Sequence, residues 1–117
     1  MREVCLLIGR GGAILYGDAS DSPAALPDSR TRWEAIWHHR AELEVIAHSH
    51  PVGPAAFSAE DTTTMQALDS ALGRVIRYIV VAPRAVIARD GATGATERLS
   101  PEPWWCSLLR LASGMTA

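Results

Sequence analysis

The sequence predicts an α/β fold in which a mixed β-sheet is flanked by helices. Short apolar runs that stop at glycine or proline have the length of strands. They alternate with segments whose apolar residues recur every three to four positions, as on one side of a helix. The 117 residues, 48% of them hydrophobic, are the size of one domain and suffice for a compact core. We therefore expect a single domain over residues 1–117.

The first part of the chain predicts a hairpin, a loop and a helix. Residues 4–8 are an apolar run that stops at glycines, and residues 13–16 resume it, so the two are expected to pair as strands. Residues 18–30 are rich in Asp, Ser and Pro and predict a surface loop, a candidate flap or linker. A helix follows from Thr31, with an apolar stripe that predicts two core tryptophans. The stripe consists of Trp33, Ile36, Trp37, Arg40 and Leu43.

The second part predicts a central strand, a helix, further strands and a closing helix. Residues 44–48 form the central strand, and a Pro-Gly-Pro segment turns the chain after it. A helix is expected to start at Ser58 and to end at Gly73. The strongest strand signal covers residues 74–82. Two shorter strands and a helix are predicted over residues 85–88, 96–99 and 103–111.

Composition and charge exclude several classes of protein. A net charge of -2 without a clustered basic face disfavours nucleic-acid binding. The sequence has no apolar run of membrane-spanning length and no signal-peptide pattern at its start, so we expect a cytoplasmic protein without a membrane partner. Cys5 and Cys106 match no metal or redox motif and are expected to be buried, reduced thiols.

Two histidines and an acid form the main chemical signal. His48 and His50 stand two residues apart on a predicted strand, so both side chains point to one face and can bind one metal ion. Asp61 can supply the third ligand. Three ligands of nitrogen and oxygen type leave one tetrahedral position for water, as in a catalytic zinc site. The alternatives are a helix cap made by Ser58 with Asp61 and histidines satisfied within the core.

The run His48-Ser-His50-Pro-x6-Ser58-x2-Asp61 is similar to the signature of the JAMM, or MPN-domain, metalloproteases. The resemblance implies the MPN, cytidine-deaminase-like fold and one Zn²⁺ ion per chain, bound by the two histidines and Asp61. It further implies that a glutamate of the first strand acts as the general base and that Ser58 stabilises the tetrahedral intermediate. The position that resembles this glutamate is Glu3.

The first strand departs from the family pattern around Glu3. Related sequences often read E-x-x-G-L-x-x-G, whereas this chain lacks the first glycine and is one residue shorter. A solvated terminal charge is the alternative interpretation of Glu3. Three other glutamates compete for the role of base. Glu34 and Glu42 lie on the predicted helix, where solvated side chains are usual, and the Cα of Glu44 is expected roughly 13 Å from that of His48.

The resemblance also implies an activity and a class of partner. We expect a zinc-dependent metallopeptidase or isopeptidase that hydrolyses an amide bond at the C-terminal tail of a ubiquitin-like or sulfur-carrier protein. A metal-free, MPN-like scaffold that binds proteins without catalysis is the main alternative. A zinc domain related to the radiation-sensitivity-C-type proteins of DNA repair is a third interpretation, which the missing basic face disfavours.

Overall fold

A computed structural model describes residues 1–91 and 93–115 of the chain. Within them it contains six β-strands and three α-helices in the predicted order, which confirms the α/β class. A short 3-10 turn over Arg10–Gly12 joins the first two strands. The strands are β1 (Val4–Gly9), β2 (Ile14–Ala19), β3 (Leu43–Ser49), β4 (Arg77–Val81), β5 (Val86–Arg89) and β6 (Thr96–Arg98), and the helices are α1 (Arg30–His38), α2 (Ala59–Leu72) and α3 (Trp105–Ser113).

The strands form one mixed sheet in the order β2-β1-β3-β4-β5-β6. β3 and β4 run parallel, with α2 as the crossover between them, and every other neighbouring pair is antiparallel. The central strand β3 therefore lies between β1 and β4. In this register Cys5 of β1 and Val80 of β4 both lie opposite His48 of β3. The N-terminal end of β1 is thus beside the C-terminal end of β3.

Alternate residues of the strands point to opposite sides of the sheet, and each side has its own core. We call the two sides the α3 face and the α1/α2 face, after the helices that cover them. The α3 face holds Val4, Leu6, Ile8, Ala47, Ile79, Val81, Val86, Ala88, Trp105, Cys106 and Leu109. The α1/α2 face holds Cys5, Leu7, Ile36, Leu43, Ile46, Met65, Leu68, Ile76 and Tyr78.

Side-chain caps and glycines define the ends of the helices. The Ser29 hydroxyl accepts a hydrogen bond from the backbone N–H of Arg32 at the start of α1. α2 is followed by Gly73 and α3 by Gly114, both in the left-handed region that glycine adopts without steric penalty. The predicted end of the second helix at Gly73 is confirmed. None of the helices in the described ranges has the length and hydropathy to cross a membrane.

The prediction that the tryptophans of α1 are core residues is wrong. Trp33 is 36% exposed and Trp37 is 60% exposed, whereas the buried residues of this helix are Arg32 and Ile36. Arg32 points inward because its guanidinium pairs with the carboxylate of Asp18 on β2 at 3.7 Å. In this rotation of α1, Arg32 and Ile36 face the sheet and both indoles remain accessible to solvent.

Several boundaries also differ from the prediction. α1 ends before Leu43, which the sequence places on the helical stripe and which instead begins β3. β4 begins at Arg77 rather than at residue 74 because the preceding residues bond elsewhere. The guanidinium of Arg74 donates to main-chain carbonyls, and the N–H of Ile76 donates to an aspartate of α2 at 3.2 Å. β2 continues to Ala19, which shortens the predicted loop.

Both cysteines are buried and free, as predicted from the sequence. Cys5 lies on the α1/α2 face and Cys106 on the α3 face, so the sheet separates them. Burial raises the pKa of the Cys5 thiol to about 12, which keeps it neutral near pH 7. Cys5 packs as a neutral, apolar side chain opposite His48 of β3.

Candidate metal centre

Two histidines and an aspartate converge on the α1/α2 face at the C-terminal end of β3. The Nε2 atoms of His48 and His50 are 2.9 Å apart. Oδ2 of Asp61, in the first turn of α2, lies 3.4 Å from Nε2 of His48 and 3.6 Å from Nε2 of His50. Three atoms of the kind that bind zinc thus form a small triangle.

A capping box at the start of α2 fixes the position of Asp61. The Ser58 hydroxyl accepts a hydrogen bond from the N–H of Asp61 at 3.0 Å, and the N–H of Ser58 donates to Oδ2 of Asp61 at 2.8 Å. The capping interpretation of this pair is therefore confirmed. The carboxylate oxygen that the cap holds, Oδ2, is also the one that lies near the histidines. The same hydrogen bond therefore caps the helix and positions this oxygen beside His48 and His50.

The triangle has the dimensions that a zinc ion requires. Ligand atoms at roughly 2.0–2.1 Å from a tetrahedral ion are about 3.3 Å from one another. The three separations among His48, His50 and Asp61 lie between 2.9 and 3.6 Å. Shifts of a few tenths of an ångström would bring all three atoms to zinc-binding distance. The donor set therefore fits one zinc ion.

Glu3 lies beside this triangle, just before β1. One carboxylate oxygen of Glu3 and one ring nitrogen each of His48 and His50 lie within 4.8 Å of one another, which makes this trio a second possible ligand set. We favour Asp61 as the third ligand because its oxygen already lies at tetrahedral spacing from both histidines. Glu3 is only 6% exposed, so the interpretation as a solvated terminal charge is wrong.

Backbone hydrogen bonds hold the segment around Glu3 in place. The N–H of Glu3 donates to the carbonyl of Ser22 at 2.8 Å, and the carbonyl of Glu3 accepts from the N–H of Ser20 at 2.9 Å. The loop that follows β2 thus pairs with Glu3 as an added strand would. Although Glu3 is close to the start of the sequence, its backbone is paired like that of a strand interior.

Two buried serines on the α3 face secure the residues on either side of Glu3. The Ser49 hydroxyl accepts from the N–H of Val4 at 2.8 Å, and the Ser113 hydroxyl donates to the carbonyl of Arg2. Neither serine is among the residues predicted from the sequence. The role of Ser49 could have been anticipated, because it lies between two candidate ligands and strand alternation points its side chain to the opposite face of the sheet. The role of Ser113 could not, since 111 positions separate it from Arg2.

The other three glutamates considered as the base lie away from the triangle or face solvent. Glu34 is exposed and pairs with Arg30 on the same helix at 2.8 Å. Glu42 and Glu44 are exposed as well. Among the described glutamates, Glu3 is the one whose carboxyl group lies with the ring nitrogens of both histidines inside 4.8 Å.

Burial and neighbouring charges set the protonation of these groups. Burial raises the pKa of Glu3, an effect that His48 opposes and the charge of Asp61 supports. Burial and the charge of His48 lower the pKa of His50. Burial opposes ionisation of Asp61, but contacts with His48 and Ser58 outweigh it and hold the pKa of Asp61 at about 2. Near pH 7 an ionised Asp61 and a neutral His50 are in the forms that bind metal.

One cavity of about 470 Å³ opens over the triangle, between the sheet and helices α1 and α2. It collects the five side chains that the sequence predicts for the site, although they come from three separate parts of the chain. These residues are Glu3, His48, His50, Ser58 and Asp61.

Comparison with known families gives a match that covers most of the chain and the whole site. Residues 3–106 match the family described as prokaryotic homologs of the JAB domain. The matched segment begins at Glu3 and ends at Cys106 in the first turn of α3, so it contains all five site residues. No curated protein matches the chain.

Proposed function

The chain belongs to the family of prokaryotic homologs of the JAB domain, and on this premise we propose that it is a zinc-dependent metallopeptidase or isopeptidase. The proposed reaction is hydrolysis of an amide bond at the C-terminal tail of a ubiquitin-like or sulfur-carrier protein. The convergence of His48, His50 and Asp61 at zinc-ligand spacing, beside the buried carboxyl group of Glu3, supports this proposal most directly.

The three residues of the triangle would hold one zinc ion through two imidazole nitrogens and one carboxylate oxygen. When bound there, zinc supplies Lewis acidity that polarises a substrate carbonyl and acidifies water. The chain contributes the geometry: His48 lies on β3, the N–H of His50 donates to the carbonyl of Val81 at 2.8 Å, and the capping box holds Asp61. This preorganisation reduces the rearrangement that binding requires.

Glu3 is the proposed general base. Its carboxylate takes a proton from the attacking water and then delivers that proton to the leaving amine, so the same group acts as base and as acid. Burial raises the pKa of Glu3, and a higher pKa makes its carboxylate a stronger proton acceptor. Its burial beside His48 and His50 places the carboxyl group next to the ligand atoms.

Ser58 is the proposed donor to the developing oxyanion. The oxygen of its hydroxyl already accepts the N–H of Asp61, and the hydroxyl proton is left to donate to a substrate. Loss of one such donor typically lowers the rate by about 100-fold or more. Ser58 thus combines a helix cap with a catalytic role.

An extended tail suits the accessible edge of this sheet. β2 is an edge strand two positions from β3, and its side chains are exposed or half-buried. A substrate tail can add to such an edge through main-chain hydrogen bonds. We propose this mode of binding for the partner protein.

Zinc analysis tests the metal centre. Protein purified without added metal is expected to contain one zinc ion per chain by atomic absorption, and His48→Ala is expected to remove it. His38→Ala is the matched control, because His38 is an exposed histidine at the end of α1 and should leave the zinc content unchanged. A wild-type protein that takes up no zinc would favour the metal-free scaffold instead.

Incubation with candidate substrates tests the hydrolysis. Ubiquitin-like and sulfur-carrier proteins encoded in the same genome, each carrying a short C-terminal extension, are expected to lose that extension. A chelator should stop the reaction and added zinc should restore it. If a protein with a full complement of zinc cleaves none of them, the proposed class of substrate is wrong.

A further inference from the structure

We propose that the cavity beside the metal centre is a specificity pocket for a large apolar side chain of the substrate, adjacent to the bond that is cleaved. The inference rests on the proposed function, since it assigns part of the substrate of that same site. It adds a selectivity that the metal centre alone does not provide.

The floor of the cavity continues directly from the histidines along β3. His50, His48 and Ile46 follow one another on the same face at two-residue intervals, which is about 6.6 Å per step. Tyr78 lies opposite Ile46 on β4, and Cys5 lies opposite His48 on β1. Apolar surface therefore begins one step from the triangle, within reach of a side chain next to the scissile bond.

The walls of the cavity are also apolar. Ile36 of α1 and both Met65 and Leu68 of α2 face each other across the floor, and all three are buried. Leu26 and Phe57, from the two neighbouring loops, lie along the walls and are half-buried. Apolar pockets of roughly 300–1,000 Å³ are typical of ligand sites, and this one measures about 470 Å³. A glycine in the substrate would leave it unfilled.

The charges around the cavity disfavour an acidic occupant. Away from the triangle that would hold the zinc ion, Arg32 is the cation among the described lining residues, and it is already paired with Asp18 at 3.7 Å. Asp28 and Glu60 are exposed carboxylates at the rim. A substrate carboxylate would be repelled by the like charges at the rim and would lose its hydration against the apolar surface below. An aliphatic or aromatic side chain has neither cost.

Binding of small amides tests the pocket without any turnover. N-acetyl-phenylalaninamide, N-acetyl-leucinamide, N-acetyl-glycinamide and the α-amide of N-acetyl-aspartic acid would each be titrated into zinc-loaded protein, with methyl NMR signals of the lining residues as the readout. We expect the phenylalanine and leucine amides to bind at least about tenfold tighter than the glycine amide. The aspartate amide should bind no better than glycine. Equal binding of all four amides would overturn the proposal.

A pair of neighbouring threonines provides matched variants. Thr64 and Thr63 are both exposed on α2, but Thr64 lines the cavity and Thr63 does not. Thr64→Phe places bulk at the cavity wall and is expected to reduce the preference for the phenylalanine amide over the glycine amide toward unity. Thr63→Phe should keep the preference of the wild type. If both variants behave alike, the cavity is not the place where the apolar side chain binds, and the proposal is wrong.

Peptide hydrolysis separates this inference from the proposed function. Acetylated hexapeptides would carry Gly, Leu, Phe or Asp either before or after the bond cleaved, and kcat/KM should rise at least about tenfold for Leu and Phe in one of the two series. Cleavage at equal rates in both series would overturn the pocket while the hydrolase stands. Selective binding of apolar amides without cleavage of any peptide would uphold the pocket while the hydrolase falls.

Discussion

The two faces of the sheet are formed by the same strands but differ in their packing and in the kind of residue they carry. On the α3 face, one amphipathic helix places Trp105, Cys106 and Leu109 against the strands, and all three are buried. On the α1/α2 face, two helices stand over the sheet and leave a cavity of about 470 Å³ between them. One face is filled with apolar side chains, and the other carries the polar triangle at the end of an open space.

The difference shows how a small domain can accommodate a site of this kind. Apolar burial on the α3 face stabilises the fold, so the α1/α2 face can keep partly exposed polar groups and an unfilled pocket. On that face α1 turns the charged Arg32 toward the sheet, where it pairs with Asp18 and lines the cavity. Substitutions in the core of the α3 face should therefore change stability with little effect on zinc binding, whereas substitutions in the triangle and at Glu3 should change the chemistry.

The largest expected effect is on the α1/α2 face. Glu3→Gln keeps the size of the side chain but cannot accept the proton, so turnover should fall by about 100- to 10,000-fold while zinc content stays at one ion per chain. Glu44→Gln is the control, because Glu44 is an exposed glutamate on β3. Full turnover by Glu3→Gln would remove Glu3 as the base and leave the ligand triangle untouched.

On the α3 face the expected effect is on stability. Leu109 is 0% exposed at the centre of that core, and Leu109→Ala should lower the free energy of unfolding by about 2–5 kcal/mol in urea titrations. Zinc content should not change. Leu111→Ala on the same helix is the control, since Leu111 is 78% exposed and its loss should cost less than about 0.5 kcal/mol. Loss of zinc in Leu109→Ala would contradict the separation of the two faces.

Ser49 tests how far the two faces are independent. Ser49→Ala leaves the buried N–H of Val4 without its acceptor, which should cost about 1–3 kcal/mol in the free energy of unfolding. Because the lost bond secures the strand next to Glu3, kcat should also fall while zinc is retained. Ser70→Ala, at an exposed position of α2, should change neither quantity. An unchanged kcat in Ser49→Ala would confine the role of this serine to stability.

The smallest expected effect is a pH-dependent ion pair beside α3. A hydrogen bond with Arg110 holds the pKa of Glu102 below its ordinary value of 4.5. A depressed folded pKa adds stability that is complete above the ordinary pKa and is lost as the pH falls through the folded value. Glu102→Gln should therefore cost less than about 1 kcal/mol at pH 7 and nothing once Glu102 is protonated. A cost that persists in acid would rule out the ion pair as its source.

The sequence was informative where the determinants of structure are local. The two-residue spacing of His48 and His50 and the three-residue spacing of Ser58 and Asp61 follow from strand and helix periodicity, and the structure reproduces both. Glu3 lies near His48 and His50 because β1 pairs with β3. The family resemblance, and not periodicity, predicted that Glu3 belongs to the site. Periodicity alone does not fix which strands pair.

The rotation of α1 and the pocket could not be predicted in this way. The spacing of Trp33 and Ile36 fits an apolar stripe, but the partner that turns Arg32 inward is Asp18, on a different element. A cavity likewise depends on how far apart two helices stand, which no single segment encodes. Predictions from one sequence are therefore weakest where the orientation of a side chain depends on a partner that is distant in the sequence.

The bonds that secure Glu3 have a consequence for the order of assembly. They join residues 45 and 111 positions apart, whereas the partners in the capping box of Asp61 are three apart. Closing long loops costs more entropy, so the distant bonds are expected to form after the local ones. Refolding protein should then recover zinc binding before it recovers turnover. The carboxyl group of Glu3 is therefore expected to reach its working position after the capping box has placed Asp61.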